Sequence, residues 1–219
     1  ATFTGSPEVG VMVQEATAKN SVPCVLELGG KSPQVVFNDA DLDKAVPAIV
    51  KAIVQNAGQT CSAGSRLLIQ QDIYDEVMKR VGAGFAQIRV GTPEMDLDCG
   101  PIINSKQHGR VSGFIADSIA SGIPVVAEAQ LAPGLPSGGF FVKPTLFGAV
   151  PRDHNLACKE VFGPVLTAMP FTDEEDAVRL ANATEYGLVA GVWTENGSRQ
   201  ARMARRIDSG SLVAVGANH

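Results

Sequence analysis

Val22-Pro23-Cys24-Val25-Leu26-Glu27-Leu28-Gly29-Gly30-Lys31-Ser32-Pro33-Gln34-Val35-Val36-Phe37 reads as two strands joined through a glycine turn. Val22 to Leu26 and Gln34 to Phe37 are apolar, β-branched runs of strand length, and Gly29-Gly30 interrupts the pattern between them. Asp41 then caps a helix whose Leu42, Ala45, Val46, Ile49, Ala52 and Ile53 recur at helical spacing on one face.

The same alternation extends in both directions. Upstream, Thr2 to Thr4 reads as a strand, and Ser6, Pro7 and Glu8 open a helix running to about Lys19 as N-cap, first-turn proline and dipole-compatible acid. Downstream, the polar loop Asn56 to Ser65 leads to a strand at Arg66 to Gln70, then a helix marked by Ile73, Val77, Val81 and Phe85. Gly91 to Pro101 is a loop, Asn104 caps a helix carrying Val111, Phe114, Ile115 and Ile119, Pro124 to Ala127 is a strand, and Leu131 to Gly139 is a surface loop. Phe140 to Phe147 and Val165 to Phe171 read as extended. Thr172-Asp173-Glu174-Glu175 is a capping box for a helix through Ala183. A strand at Val189 to Thr194, a helix at Ser198 to Ile207 and a strand at Leu212 to Val215 complete the pattern. Strands alternating with helices in this way predict an α/β protein built on a parallel sheet.

With 219 residues, 45% hydrophobic and 19% charged, the chain suits one domain, or one domain plus part of another, and is too apolar for disorder. A net charge of −5, with only Arg202, Arg205 and Arg206 as a basic group, argues against nucleic acid and acidic membranes as partners. That arginine group reads as a solvated helix end. The four cysteines, Cys24, Cys61, Cys99 and Cys158, form no Cys-x-x-Cys pair and no metal-ligand spacing, so neither a disulfide framework nor a metal site is expected. Reduced thiols point to a cytoplasmic location. No apolar run reaches membrane-spanning length and no signal-peptide pattern opens the chain. Both ends fall beside strand patterns, which reads as an excised segment.

Four segments carry candidate chemistry. Cys61, in Gly58-Gln59-Thr60-Cys61-Ser62-Ala63-Gly64, has small and polar neighbours where a structural cysteine such as Cys24 has apolar ones; it reads as an accessible thiol suited to nucleophilic attack, or as an ordinary loop cysteine. Glu27 ends an apolar strand, where an apolar setting favours a general base; it could equally pair with Lys31 or a backbone amide. Glu160 and Phe162, in Lys159-Glu160-Val161-Phe162-Gly163-Pro164, could accept ribose hydroxyls and offer a flat face, or be a loop carboxylate and a core aromatic. Phe3-Thr4-Gly5-Ser6 aims the free N–H groups of a helix start outward, ready for a phosphate. The histidines, His108, His154 and His219, lack a thiol or hydroxyl partner in sequence.

In this order, Glu27-Leu28-Gly29-Gly30-Lys31-Ser32-Pro33 and Gly58-Gln59-Thr60-Cys61, supported by Glu160-Val161-Phe162-Gly163-Pro164 and Phe3-Thr4-Gly5-Ser6, resemble the non-acylating, NAD(P)-dependent aldehyde dehydrogenase superfamily. The resemblance implies an open, mostly parallel twisted sheet with helices on both faces as a catalytic domain over 30–219, and a remnant of a Rossmann-like cofactor domain over 1–29. It implies Cys61 as the nucleophile, its own backbone N–H as an oxyanion donor, and Glu27 as the base that activates water for thioester hydrolysis. Glu160 would hold the nicotinamide ribose, Phe162 would flank the nicotinamide, Leu28 and Gly29 would contact its carboxamide region, Ser6 would face the pyrophosphate, and Gln107 is a weaker match to a ribose contact.

The presence of Glu27 argues against the acylating branch that passes its acyl group to coenzyme A. The family's second oxyanion donor and most of its NAD- or NADP-binding domain would lie before Ala1, so this segment alone is expected to be inactive, with its N-terminal piece rearranging or self-associating through exposed sheet edges. The full-length protein is expected to act on an aldehyde as a homodimer or homotetramer. The competing expectations are a non-catalytic relative used for binding or structure, and a thiol hydrolase, which needs a histidine beside Cys61.

Overall fold

The computed structural model describes residues 1–216. An N-terminal unit comprises β1 (Thr2–Thr4), α1 (Pro7–Lys19) and β2 (Val25–Glu27). The chain continues through β3 (Pro33–Val36), α2 (Leu42–Val54), β4 (Arg66–Gln70), α3 (Tyr74–Gln87), β5 (Arg89–Val90), α4 (Ser105–Ala120), β6 (Val125–Glu128) and β7 (Gln130–Leu131). It ends with β8 (Thr145–Phe147), α5 (Asn155–Cys158), β9 (Val165–Phe171), α6 (Glu174–Ala181), β10 (Val189–Trp193), α7 (Gly197–Arg206) and β11 (Ser211–Val215). Asn218 and His219 lie outside the described residues.

Seven strands form the main sheet in the order β11-β10-β3-β4-β9-β8-β6, parallel throughout except for the β6–β8 pair. Consecutive residues Leu67, Leu68 and Ile69 on β4, and Val165 to Met169 on β9, are all buried, so both faces of the sheet are covered. α3 packs on β4, β6 and β8, while α6 packs on β3, β4 and β9. This is the mostly parallel α/β sheet that the strand–helix alternation predicts.

Arg66 ties the centre of the sheet to its surroundings. Its side chain is buried at the start of β4, where Nε donates to the Lys31 carbonyl and the two Nη atoms donate to the Leu180 and Ala181 carbonyls, each at 2.7 Å. The latter two carbonyls end α6, where intrahelical donors run out, although Leu180 also accepts from the Ala183 N–H. Burial lowers the Arg66 pKa to about 10.

β1 and β2 pair in parallel as a separate two-stranded sheet, with α1 capped by the Ser6 hydroxyl. This unit is ordered as strand–helix–strand and not rearranged, and it leaves Val11, Met12 and Val25 exposed. That uncovered apolar surface is the one that self-association would bury.

Several local readings shift. The first strand of the opening stretch begins at Val25, because Pro23 has no N–H to donate and the ladder starts with the Val25 N–H bonded to the Ala1 carbonyl. Only Thr145–Phe147 of the segment 140–147 forms a strand; Phe140 instead accepts from the Ile102 N–H in a loop crossing. The α6 cap is Asp173 and not Thr172, since the Asp173 carboxylate accepts from the Asp176 N–H while Asp176 reaches back to the Thr172 N–H. Arg202 and Arg206 are not merely solvated: they pair with Glu174 and Glu175 and staple α7 to α6. Cys24 is half-buried.

Asp176 is 2% exposed and joins Arg152, Arg179 and the Thr172 amide, with hydrogen bonds from Arg152 lowering its pKa to about 2. A carboxyl depressed in the folded state contributes stability above its unfolded value, and that contribution is lost as pH falls through the folded value. Asp176→Ala should therefore lower the unfolding free energy by about 2 kcal/mol in urea melts near neutral pH, the half-exposed arginines limiting the effect. The deficit relative to wild type should shrink as pH falls from about 4 toward about 2.

Candidate active site

The sheet order explains where the candidate residues meet. β10, β3, β4 and β9 are consecutive, parallel neighbours, so the segments entering their amino ends emerge along one edge. Those segments carry Tyr186, Gly29 to Ser32, Cys61 to Ser65, and Glu160 to Pro164. The site therefore lies at the amino ends of the main-sheet strands. The β1–α1–β2 unit follows the usual placement instead: Ser6 after β1 and Glu27 on β2 sit at strand carboxyl ends.

Close approach of backbone to backbone draws these segments together. A Cβ on Gly30 would collide with the Cys61 carbonyl oxygen. A Cβ on Gly58 would collide with the Gly163 carbonyl, and Gly58 lies at φ +69°. Gly58 ends a left-handed run in which Asn56 and Ala57 have φ of 51° and 53°. That unfavourable conformation turns the chain sharply after α2 and delivers Cys61 to the edge.

A cleft of about 750 Å³ opens between this edge and the β1–α1–β2 unit, lined by Cys61, Glu27, Ser6, Leu28, Gly29, Gln107, Glu160 and Phe162 among others. All eight sequence candidates thus border one space. Cys61 is half-buried, and among the described residues its backbone N–H has no hydrogen-bond partner. Glu27 is exposed, so the apolar setting expected for it is absent; β2 sits in a two-stranded sheet that cannot enclose a side chain at its end. Nor does Glu27 pair with Lys31, whose side chain turns into the protein.

Glu160 is half-buried, and its Oε1 accepts the Gly30 N–H at 2.9 Å. Burial raises its pKa, opposed chiefly by that hydrogen bond. Phe162 is not a core aromatic: it is 36% exposed and held at φ +55°. Gln107 differs from expectation. Both hydrogens of its amide go to the Val161 and Phe162 carbonyls, at 3.1 and 2.7 Å, so it shapes the loop that presents Phe162. Ser6 caps α1 while bordering the cleft.

Sequence reading missed Tyr186, whose hydroxyl accepts from the Glu160 N–H, and Arg110, which donates to the Glu160 carbonyl. Nothing local distinguishes either residue. It also missed Lys31, which is 1% exposed with no hydrogen-bond partner for Nζ; burial, reinforced by Arg66, lowers its pKa to about 7. His108 bonds the Phe141 carbonyl and His154 caps α5, and neither borders the cleft.

The chain thus combines a mostly parallel α/β sheet, a second, smaller sheet, and a cleft that a thiol and a carboxylate both border. The aldehyde dehydrogenase family profile matches residues 1–218, and the chain belongs to that family. It is 39% identical over 212 residues to DhaS of Bacillus subtilis (strain 168), covering 96% of this chain and 42% of that protein. A Burkholderia cenocepacia crystal structure from the same family matches with 54% identity and a TM-score of 0.96, over 97% of this chain and 45% of the other. Betaine aldehyde dehydrogenase of Staphylococcus aureus in complex with NAD+ matches at 30% identity and a TM-score of 0.91, over 100% of this chain and 44% of the other. The chain thus spans somewhat under half the length of the relatives it matches.

Two outcomes follow. Gly30→Ala should lose roughly 3 kcal/mol of stability in urea melts, because the Cys61 backbone must move. Gly109→Ala, with nothing within 4 Å of the new methyl, should be neutral or stabilising. For Lys31, the folded pKa of about 7 lies below its unfolded value, so the unfolded chain binds more protons between them. Stability should rise as pH climbs from about 7 toward about 10, and Lys31→Met should flatten that rise.

Proposed function

We propose that the full-length protein oxidises an aldehyde to a carboxylic acid with NAD+ or NADP+, using Cys61 as nucleophile and Glu27 as general base. The observation that carries this reading is that Cys61 and Glu27, distant in sequence, border one cleft. The Cys61 thiolate attacks the aldehyde carbon, and the resulting oxyanion takes up the unpartnered Cys61 N–H. A bound nicotinamide supplies the acceptor for the hydride that leaves the thiohemiacetal carbon. Glu27 then removes a proton from water, the hydroxide adds to the thioester, and the acid departs as the thiolate is restored. The exposure of Glu27 gives it direct access to cleft water.

The residues present suit a dinucleotide. Glu160 keeps one carboxylate oxygen free of the Gly30 bond for a ribose diol, and Phe162 offers an exposed ring face. Leu28 and Gly29 contribute backbone beside the carboxamide, and Ser6 with the start of α1 faces the phosphates. Gln107 acts on this site through Phe162. NAD+ complexes of the Staphylococcus aureus and Bacillus cereus relatives support the same cofactor class. We assign residues 1–29 to the cofactor-binding unit and 30–219 to the catalytic domain, in keeping with their separate sheets. Among the described residues no histidine borders the cleft, which disfavours a thiol hydrolase. Retention of both Cys61 and Glu27 disfavours a non-catalytic relative.

Assays of the full-length protein over an aldehyde panel with both cofactors should show nicotinamide reduction. Cys61→Ser should reduce kcat by about a thousandfold or more, and Glu27→Gln should retain a burst of reduced cofactor while steady-state turnover falls by roughly a hundredfold. The 219-residue chain alone should show no turnover. Aldehyde oxidation that needs no NAD(P), or unchanged oxidation in Cys61→Ser, would overturn the assignment.

A further inference from the structure

We propose that the start of α4 is a common strut for two loops that meet at the cleft: through the positioning residues Gln59 and Gln107 it sets the spacing between Cys61 and the ring face of Phe162. The consequence for hydride transfer rests on the reading of Cys61 as nucleophile and Phe162 as the neighbour of the nicotinamide.

Both loops need outside support. The loop that carries Cys61 opens with left-handed backbone at Asn56 and Ala57, and the other loop is left-handed at Phe162 itself. Asn56 and Gln59 close the first loop on itself: Asn56 Nδ2 donates to the Gln59 carbonyl at 2.9 Å, and Gln59 Nε2 donates to the Asn56 carbonyl at 3.1 Å. That leaves Gln59 Oε1 for a partner outside the loop, and it accepts the Ile103 N–H at 2.9 Å. Ile103 immediately precedes Asn104, the N-cap of α4.

One turn further on, the second loop is held by the same element. Asn104 Oδ1 accepts the Gln107 N–H at 2.9 Å, and the Gln107 amide donates to the Val161 and Phe162 carbonyls. Arg110 donates to the Glu160 carbonyl at 2.6 Å, and a Cβ on Gly163 would lie 2.5 Å from Val111 Cγ2. The loops also touch each other where Gly58 meets Gly163, so the helix braces a direct contact. Asn56, Gln59 and Gln107 all border the cleft.

The physical need for such a brace is distance. Hydride transfer requires reacting atoms about 3–3.5 Å apart, and a misplacement of about 1 Å can cost roughly a hundredfold in rate. Neither loop has a strand or helix of its own to fix it at the cleft. Hung from adjacent turns of one capped helix, the thiol and the nicotinamide face keep their separation.

The test is hydrogen exchange of the full-length protein, read by mass spectrometry. Gln59→Met keeps the length of the side chain and removes its hydrogen bonds. It should speed exchange across 160–163, to which Gln59 makes no hydrogen bond, by roughly fivefold. Gln107→Ala should do the same to 59–63, and Gln59→Ala covers failure of the methionine variant to fold. Loosening confined to the substituted side in folded variants overturns the strut. At saturating NAD+ and aldehyde, the burst constant for hydride transfer should fall about tenfold in each single variant, with a primary isotope effect from deuterated aldehyde. The double variant should fall well short of the product of the two, because one released loop already loses the spacing. An unchanged burst constant, or loss of NAD+ affinity alone in Gln107→Ala, overturns the spacing role. Full oxidation by Cys61→Ser would overturn the nucleophile instead, and the exchange result would still judge the strut.

Discussion

The site depends on backbones that touch without side chains between them. At Gly30 the turn after β2 rests on the Cys61 carbonyl, and at Gly58 the loop before Cys61 rests on Gly163. A methyl at either place would push apart segments whose relative position defines the cleft. These contacts bring together pieces that β3, β4 and β9 have already delivered to one sheet edge. Arg66 then fixes the depth of that edge, because its guanidinium holds the Lys31 carbonyl and the end of α6 at once. A fork of three short hydrogen bonds in a buried setting resists sliding of one segment over another.

Unfavourable local features gather at the same edge. Asn56, Ala57 and Phe162 adopt left-handed backbone, and Lys31 is buried with no partner for its Nζ. Ser21, Asp96 and Ala149 share that backbone region away from the cleft, while Asp41, Asn104, Asp173 and Asn196 cap their helices and both faces of the central strands are covered. Strained backbone at the cleft that is carried by a well-packed sheet fits a site whose geometry matters more than its local stability.

The cleft also depends on two sheets. β2 carries Glu27 on a two-stranded piece, while the thiol and the Glu160 carboxylate enter from the seven-stranded sheet. The chain crosses from one to the other between Glu27 and Pro33, so the general-base candidate and the turn that grips Glu160 belong to a single short stretch. This explains how Glu27 can be exposed at the end of a strand while Gly30, three residues on, is fully enclosed.

Much of this was legible from residue order. Apolar periodicity marked the helices, β-branched runs marked the strands, and the small polar neighbours of Cys61 and the glycines after Glu27 marked the two central candidates. What residue order left open was adjacency. A strand's pattern shows that it has buried faces, but not which strands flank it, so the meeting of Tyr186, Glu160, Gly30 and Cys61 at amino ends could not be read. Gln107 entered as a ribose contact only through the family resemblance; the fold brought the Val161 and Phe162 carbonyls to its amide. Lys31 looked like a surface partner for Glu27 because lysine is usually solvated, and only packing turned it inward. Local chemistry determined which residues could act, and long-range pairing of parallel strands decided which of them stand together, because that pairing is set by the whole sheet and not by any one segment.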